Sequence, residues 1–134
     1  MTNQELIDKA LYEVGVLASG ESASATDSAD VLDILNSMMA EWSVGDMNLN
    51  FPPQDTLGDA APIPTWAELG VIGSLAIYAA PSFQAAIPEA LAVKTRRGIN
   101  TILRTNINMK LKGSDMSHLP LGDRSAVWDI NTNQ

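Results

Sequence analysis

The sequence predicts an all-α fold, a small bundle of four main helices with a long proline-rich loop and an extended C-terminal arm. Three observations predict it. Four segments repeat apolar residues at the three- and four-residue spacings of a helix with one buried face. Pro52, Pro53, Pro62 and Pro64 crowd one connection, where each removes a backbone donor and blocks regular structure. After Lys112 the chain is polar and punctuated by Gly113, Pro120 and Gly122, yet it carries large apolar side chains outside any helical stripe. A length of 134 residues suits one domain. Residues 1–112 read as a helical core and residues 113–134 as the arm.

The first helix is expected over residues 3–14. Thr2 and Glu5 have the spacing of a capping box, in which each side chain satisfies an amide of the first turn. Leu6, Ile7, Ala10, Leu11 and Val14 share one stripe, and Gly15 suits the left-handed residue that closes a helix. Tyr12 falls on the polar side with Glu5 and Asp8, so it is a candidate contact residue. Residues 18–28 are small and polar and predict a mobile linker. The second helix is expected over residues 28–44, capped by Asp27 or Ser28, with Trp42 near the centre of its apolar arc and Gly45 at its end.

Residues 46–64 predict a long irregular loop, a length usually tied to function or to a partner. Met47, Leu49 and Phe51 alternate and allow a short edge strand. Thr65 and Glu68 repeat the capping-box spacing ahead of a third helix, residues 65–80, which is apolar almost all round. Gly70, Gly73, Ala76 and Ala80 give that helix a thin face for close neighbours. The fourth is expected to open at Pro88 and to run to about residue 106, with Leu91, Thr95, Gly98, Ile99, Ile102 and Leu103 inward. Ile107, Met109 and Leu111 then alternate at strand spacing, so the extended tail is expected from residue 107.

Charge is divided along the chain. Residues 1–93 hold 13 acidic side chains and one basic, a charge of −12, whereas residues 94–134 hold three acidic and seven basic, a charge of +4. Residues 94–112 carry six positive charges and no negative one. A total of −8 disfavours a free-standing nucleic-acid binder. The polarity instead suits head-to-tail pairing of copies, in which two different patches of one chain meet. Lys94, Arg96, Arg97 and Arg104, with Tyr12, are therefore the candidate subunit-interface residues.

Enzymatic chemistry finds little support. There is no cysteine and one histidine, which excludes disulfides, thiolate metal sites and a histidine cluster. No catalytic, cofactor-binding or metal site is expected. His118 lies near Ser114, Asp115 and Ser117, but four such residues within five positions lack the scaffold a triad requires. Asp27, Asp30 and Asp33, and Asp55 with Asp59, read as solvated charges. Ser28 within TDSAD resembles the phosphopantetheine site of acyl carrier proteins, although Ala29 stands where leucine is expected. No secretory leader and no membrane span is expected, the most apolar stretch being about 12 residues against the roughly 20 needed.

The order of segments resembles a known family. LIDKALYEVGVL is followed by DVLDILNSMMAEWSVGDM, then by Ile63-Pro64-Thr65-Trp66 and LGVIGSLAIYAAPSF, then by Ile87-Pro88-Glu89. Over residues 3–106 this is similar to the head-completion adaptors of tailed phages, especially the tail accessory factors of short-tailed phages. The resemblance implies a structural, non-enzymatic virion protein at the head–tail junction, assembled in the host cytoplasm. It implies a homo-oligomeric ring, a dodecamer, under the portal protein, which receives the tail (nozzle) protein and helps retain packaged DNA. DNA would pass through the channel without specific binding, and no membrane is involved. The arm would dock along the portal; its candidate anchors, Leu119, Pro120, Leu121, Val127, Trp128 and Ile130, lie beyond the resemblance and are marked by an apolar character with no core of their own to join. The alternatives are a small acidic carrier modified at Ser28, a virion-associated cell-wall hydrolase and an acidic DNA mimic that inhibits a nuclease.

Overall fold

The computed structural model describes residues 1–113. Four α-helices follow in order: α1 (Asn3–Glu13), α2 (Ala25–Trp42), α3 (Glu68–Ala79) and α4 (Glu89–Gly113). The described residues contain no strand, only an isolated antiparallel bridge between Thr2 and Ala60. The all-α bundle expected from periodicity is therefore the observed class. The arm residues Leu119, Pro120, Leu121, Val127, Trp128 and Ile130, and the Ser114/Asp115/Ser117/His118 group, lie outside the described residues.

At the start of α1 the capping box forms: Thr2 Oγ1 accepts from the Glu5 amide at 3.2 Å, and Glu5 Oε2 accepts from the Thr2 amide at 2.8 Å. The helix closes as its glycine predicts. Gly15 adopts φ +77°, the Val16 amide returns to the Leu11 carbonyl at 3.0 Å, and the Gly15 amide to that of Tyr12 at 3.0 Å. Leu6, Ile7, Ala10 and Leu11 are fully buried.

Helix α2 begins three residues earlier than expected, and Ser24, not Asp27 or Ser28, caps it, accepting from the Asp27 amide at 3.1 Å. The reason lies in the linker. Asp8 of α1 accepts from the Ser22 hydroxyl at 2.8 Å and the Ala23 amide at 2.9 Å, drawing this stretch onto α1 and releasing Ser24 to cap. The expected mobile linker is thus pinned at its C-terminal end. At the other end of α2, Gly45 has no left-handed φ, and the helix stops at Trp42 with Ser43 as its cap.

The capping box expected at Thr65 and Glu68 does not form. Pro64 is extended, and its carbonyl accepts from the Ala67 amide at 2.9 Å, closing a 3₁₀ turn at Thr65–Ala67. Helix α3 then starts at Glu68 without a side-chain cap. It is the central element: α4, α1 and α2 all pack on it, and residues 70–76 are buried without a break. A further 3₁₀ turn, Ala80–Phe83, carries Pro81 and ends on Gln84 at φ +52°.

The largest departure concerns α4. It continues to Gly113, so Ile107, Met109 and Leu111 are helical and exposed, not strand-like. Nothing between Pro88 and Gly113 breaks a helix except Gly98, which is tolerated. Lys110 and Lys112 suit the negative end of the helix dipole, and Lys110 pairs with Asp46 at 3.1 Å. At the other end Pro88 lies just outside the helix, its carbonyl accepting from the Leu91 and Ala92 amides.

Residues 46–64 are irregular, as their prolines demand, and form no edge strand. They are nevertheless attached at many points. Asn3 Nδ2 donates to the Thr56 carbonyl at 2.8 Å and to Gln54 Oε1 at 3.2 Å. Asn36 of α2 exchanges a reciprocal pair with the Gln54 backbone at 2.8 and 2.9 Å. Asn106 of α4 donates to the Asp46 and Asn48 carbonyls at 2.8 and 3.0 Å. The first amides of α1 are satisfied by the same loop, Asn3 N to Asp59 O and Gln4 N to Leu57 O, both at 2.9 Å. Met47, Leu49 and Phe51 are partly buried against the core.

Candidate assembly interface

Helix α4 has two faces with different chemistry. Its buried residues are Leu91, Thr95, Gly98, Ile102 and Asn106. Small residues let it approach α3 closely: a Cβ on Gly98 would lie 2.5 Å from the Gly70 Cα, and one on Gly73 would lie 2.2 Å from Thr95 Oγ1. The thin face foreseen on α3 is therefore the seat of α4. Ile99 and Leu103, expected inward, are only half-buried at the flank. The seated face is continued instead by Asn106.

Opposite the seat, Ala90, Val93, Arg97, Thr101, Arg104 and Asn108 are exposed at helical spacing. With Trp66 from the 3₁₀ turn and Leu69 from the start of α3, this side forms an open groove of about 680 Å³ whose α4 wall includes Glu89, Val93, Lys94, Arg97 and Thr101. Leu69 is 58% and Val93 49% exposed, large values for apolar side chains. Arg97 therefore shares a groove with these apolar side chains and with the charged Glu89 and Lys94.

The five expected interface residues separate into three groups. Arg96, Arg97 and Arg104 are exposed and have no ion-pair partner among the described residues. Lys94 lines the groove beside Arg97, which Arg96 and Arg104 do not, but it is engaged within the chain, its ammonium paired with Glu13 at the end of α1. Tyr12 is 53% exposed on α1 but borders a different hollow, with Glu5, Asp8 and the turn at residues 18–21. It shares no lining residue with the arginine groove, so the structure does not join Tyr12 and the arginines into one patch.

Comparison with known proteins returns no matching family model and no matching curated protein.

Polar side chains are few in the interior of the described residues. Every buried polar residue among them is neutral: Asn3, Ser28, Ser74, Thr95 and Asn106. Asp30, Asp33, Asp55 and Asp59 are all exposed. No group of three or more metal-binding side chains is assembled among the described residues. No described helix is long and apolar enough to cross a membrane. Ser28 is fully buried and its hydroxyl accepts from Gln4 Nε2 at 2.9 Å, which leaves no path for a prosthetic arm. Tyr78 is held above the ordinary phenol range, first by desolvation and then by the Glu41 carboxylate, to which its hydroxyl donates at 3.3 Å. That contact joins α3 to α2 and is structural.

The sequence reading missed the three asparagines that hold the loop. Their signal is present in retrospect. Asn3 precedes Leu6 and Ile7 on the α1 stripe, and Asn106 follows Ile102 on the α4 stripe. An asparagine on an apolar stripe needs buried partners, and an irregular neighbouring segment supplies free carbonyls.

Proposed function

We propose that this chain is a structural head-to-tail adaptor of a tailed phage. It forms a ring under the portal, joins it to the tail protein and helps to retain packaged DNA. The observation that carries this reading is the ordered set of segments similar to the adaptor family, which fall on α1, α2, α3 and the start of α4 in that order. Two surface features support it. Arg97, without an ion-pair partner among the described residues, lines an open groove beside the exposed apolar Leu69 and Val93. Ile107, Met109 and Leu111 are exposed on the last turns of the same helix. Both suit a protein whose contacts are completed by other chains. No catalytic residue is assigned.

An acidic first part is compatible with passage of DNA without retention on the wall, since like charge repels the phosphates. The carrier alternative loses support from the burial of Ser28. The hydrolase alternative gains no support from the described residues, which hold no buried carboxylate to act as an acid of raised pKa.

The test is electron microscopy of the full chain mixed with its portal. Ring density added below the portal is expected, and a bare portal overturns the reading. A chain ending at Gly113 is expected to keep its helicity by circular dichroism and to lose portal binding. Unchanged binding would remove the arm from the proposal.

A further inference from the structure

Helices α2 and α4 both pack on α3 and make little contact with each other, so their outward faces are separate surfaces of one molecule. On α2 the residues Thr26, Asp30, Asp33, Ser37 and Ala40 are all exposed and recur at spacings of four, three, four and three. That is a continuous helical face, short in its side chains and acidic in its centre. Asp30 and Asp33 have no ion-pair partner among the described residues. On α4 the exposed face carries Arg97 and Arg104, which likewise have none among those residues. The three ion pairs among the described residues join other groups: the N-terminus to Glu5, Lys94 to Glu13 and Lys110 to Asp46.

We propose that the chain binds a second copy of itself through these two faces, Asp30 and Asp33 of α2 meeting Arg97 and Arg104 of the neighbour's α4. The proposal deepens the ring reading above by naming the surfaces that meet. Spacing favours it. The arginines lie seven residues apart, about 10 Å along the helix. Asp30 and Asp33 lie three residues apart, about 4.5 Å, so the acidic pair fits between the two arginines, within reach of their long side chains in either direction of docking. The short side chains of Thr26, Ser37 and Ala40 let a helix approach, and Val93 adds apolar contact from the arginine side. Because the two faces differ, the contact is head-to-tail and repeats from copy to copy.

The chain has no cysteine, which permits a clean trapping experiment. Ser37 and Thr101 sit mid-face on α2 and α4, both exposed. Full-length Ser37→Cys and Thr101→Cys proteins are mixed and oxidised at high concentration, which captures even a weak contact. The mixed disulfide is expected to exceed either homodimer by roughly tenfold, the factor that a modest favourable coupling supplies. Arg97→Glu with Arg104→Glu in the Thr101→Cys protein should lower that yield about tenfold, with helicity unchanged by circular dichroism. Asp30→Arg with Asp33→Arg in the Ser37→Cys protein should restore it. Homodimers equal to the mixed product, or a yield indifferent to charge reversal, overturns the pairing. A portal-dependent ring without the mixed disulfide leaves the adaptor reading standing and removes this interface. The mixed disulfide without a ring does the reverse.

Discussion

The two parts of α4 are one continuous helix in two environments. Up to Asn106 a face of it is sealed against α3, with Gly98 touching Gly70 and Ile102 fully buried. From Ile107 to Gly113 every residue is exposed, and the tie described there is the Lys110–Asp46 ion pair. The backbone geometry does not change between them. The difference teaches that helical regularity and anchorage are separate properties. The first part is held by packing and continues because each added residue forms one more hydrogen bond. The second needs only that continuation and a favourable dipole.

The sharpest way to break the contrast is at the crossing. Gly98→Ala places a methyl 2.5 Å from the Gly70 backbone, which cannot move aside as a side chain could. Overpacking of this kind costs about 3 kcal/mol. The gain in helix propensity offsets about 1 kcal/mol. A net loss of about 2 kcal/mol is expected in denaturant titration, and an unchanged midpoint would mean that the helices are further apart than described. Next in size is the junction. Asn106→Ala removes two hydrogen bonds to the 46–48 segment and should cost about 1–2 kcal/mol. Asn106→Asp should be worse, since a carboxylate would face two carbonyl oxygens.

A smaller change of opposite sign is expected inside the seat. Thr95 Oγ1 is buried with no hydrogen-bond partner among the described residues. Thr95→Val keeps the shape and removes the buried hydroxyl, so stability should rise by about 0–1 kcal/mol in the same titration. The smallest effect belongs to the exposed end. Met109→Lys with Leu111→Lys should shift stability by less than about 0.5 kcal/mol. A larger loss would show that those side chains are packed, and would erase the contrast between the two parts.

Much of this is legible in the residues alone. The stripe Leu6, Ile7, Ala10 and Leu11, the capping box at Thr2 and the closing Gly15 are local features, and each behaves as local rules require. Gly70 and Gly73 announce a close neighbour because nothing else explains two glycines in a helix that is otherwise so apolar. The failures involve competition between signals. Thr65 and Glu68 have capping-box spacing, but Pro64 has already committed the chain to a tight turn. Ser24 loses to Ser28 on local signals because the pull of Asp8 on residues 22–23 comes from another helix. Ile107, Met109 and Leu111 alternate, but alternation without a partner strand offers less than one more helical hydrogen bond. Charge alone marks the arginines. Their division from Lys94 and Tyr12 depends on Glu13 and on the position of α1, which no local pattern reveals.

The seven exposed residues after Asn106 have a mechanical consequence. They extend α4 by about 10 Å past its last buried residue. A stiff rod of that length acts as a lever arm. A bend of about ten degrees just past Asn106 would carry its tip sideways by about 2 Å over that length. Asn106, tied to the 46–48 segment, thus serves as a fulcrum, and the point from which the remaining 21 residues depart can be re-aimed without disturbing the core.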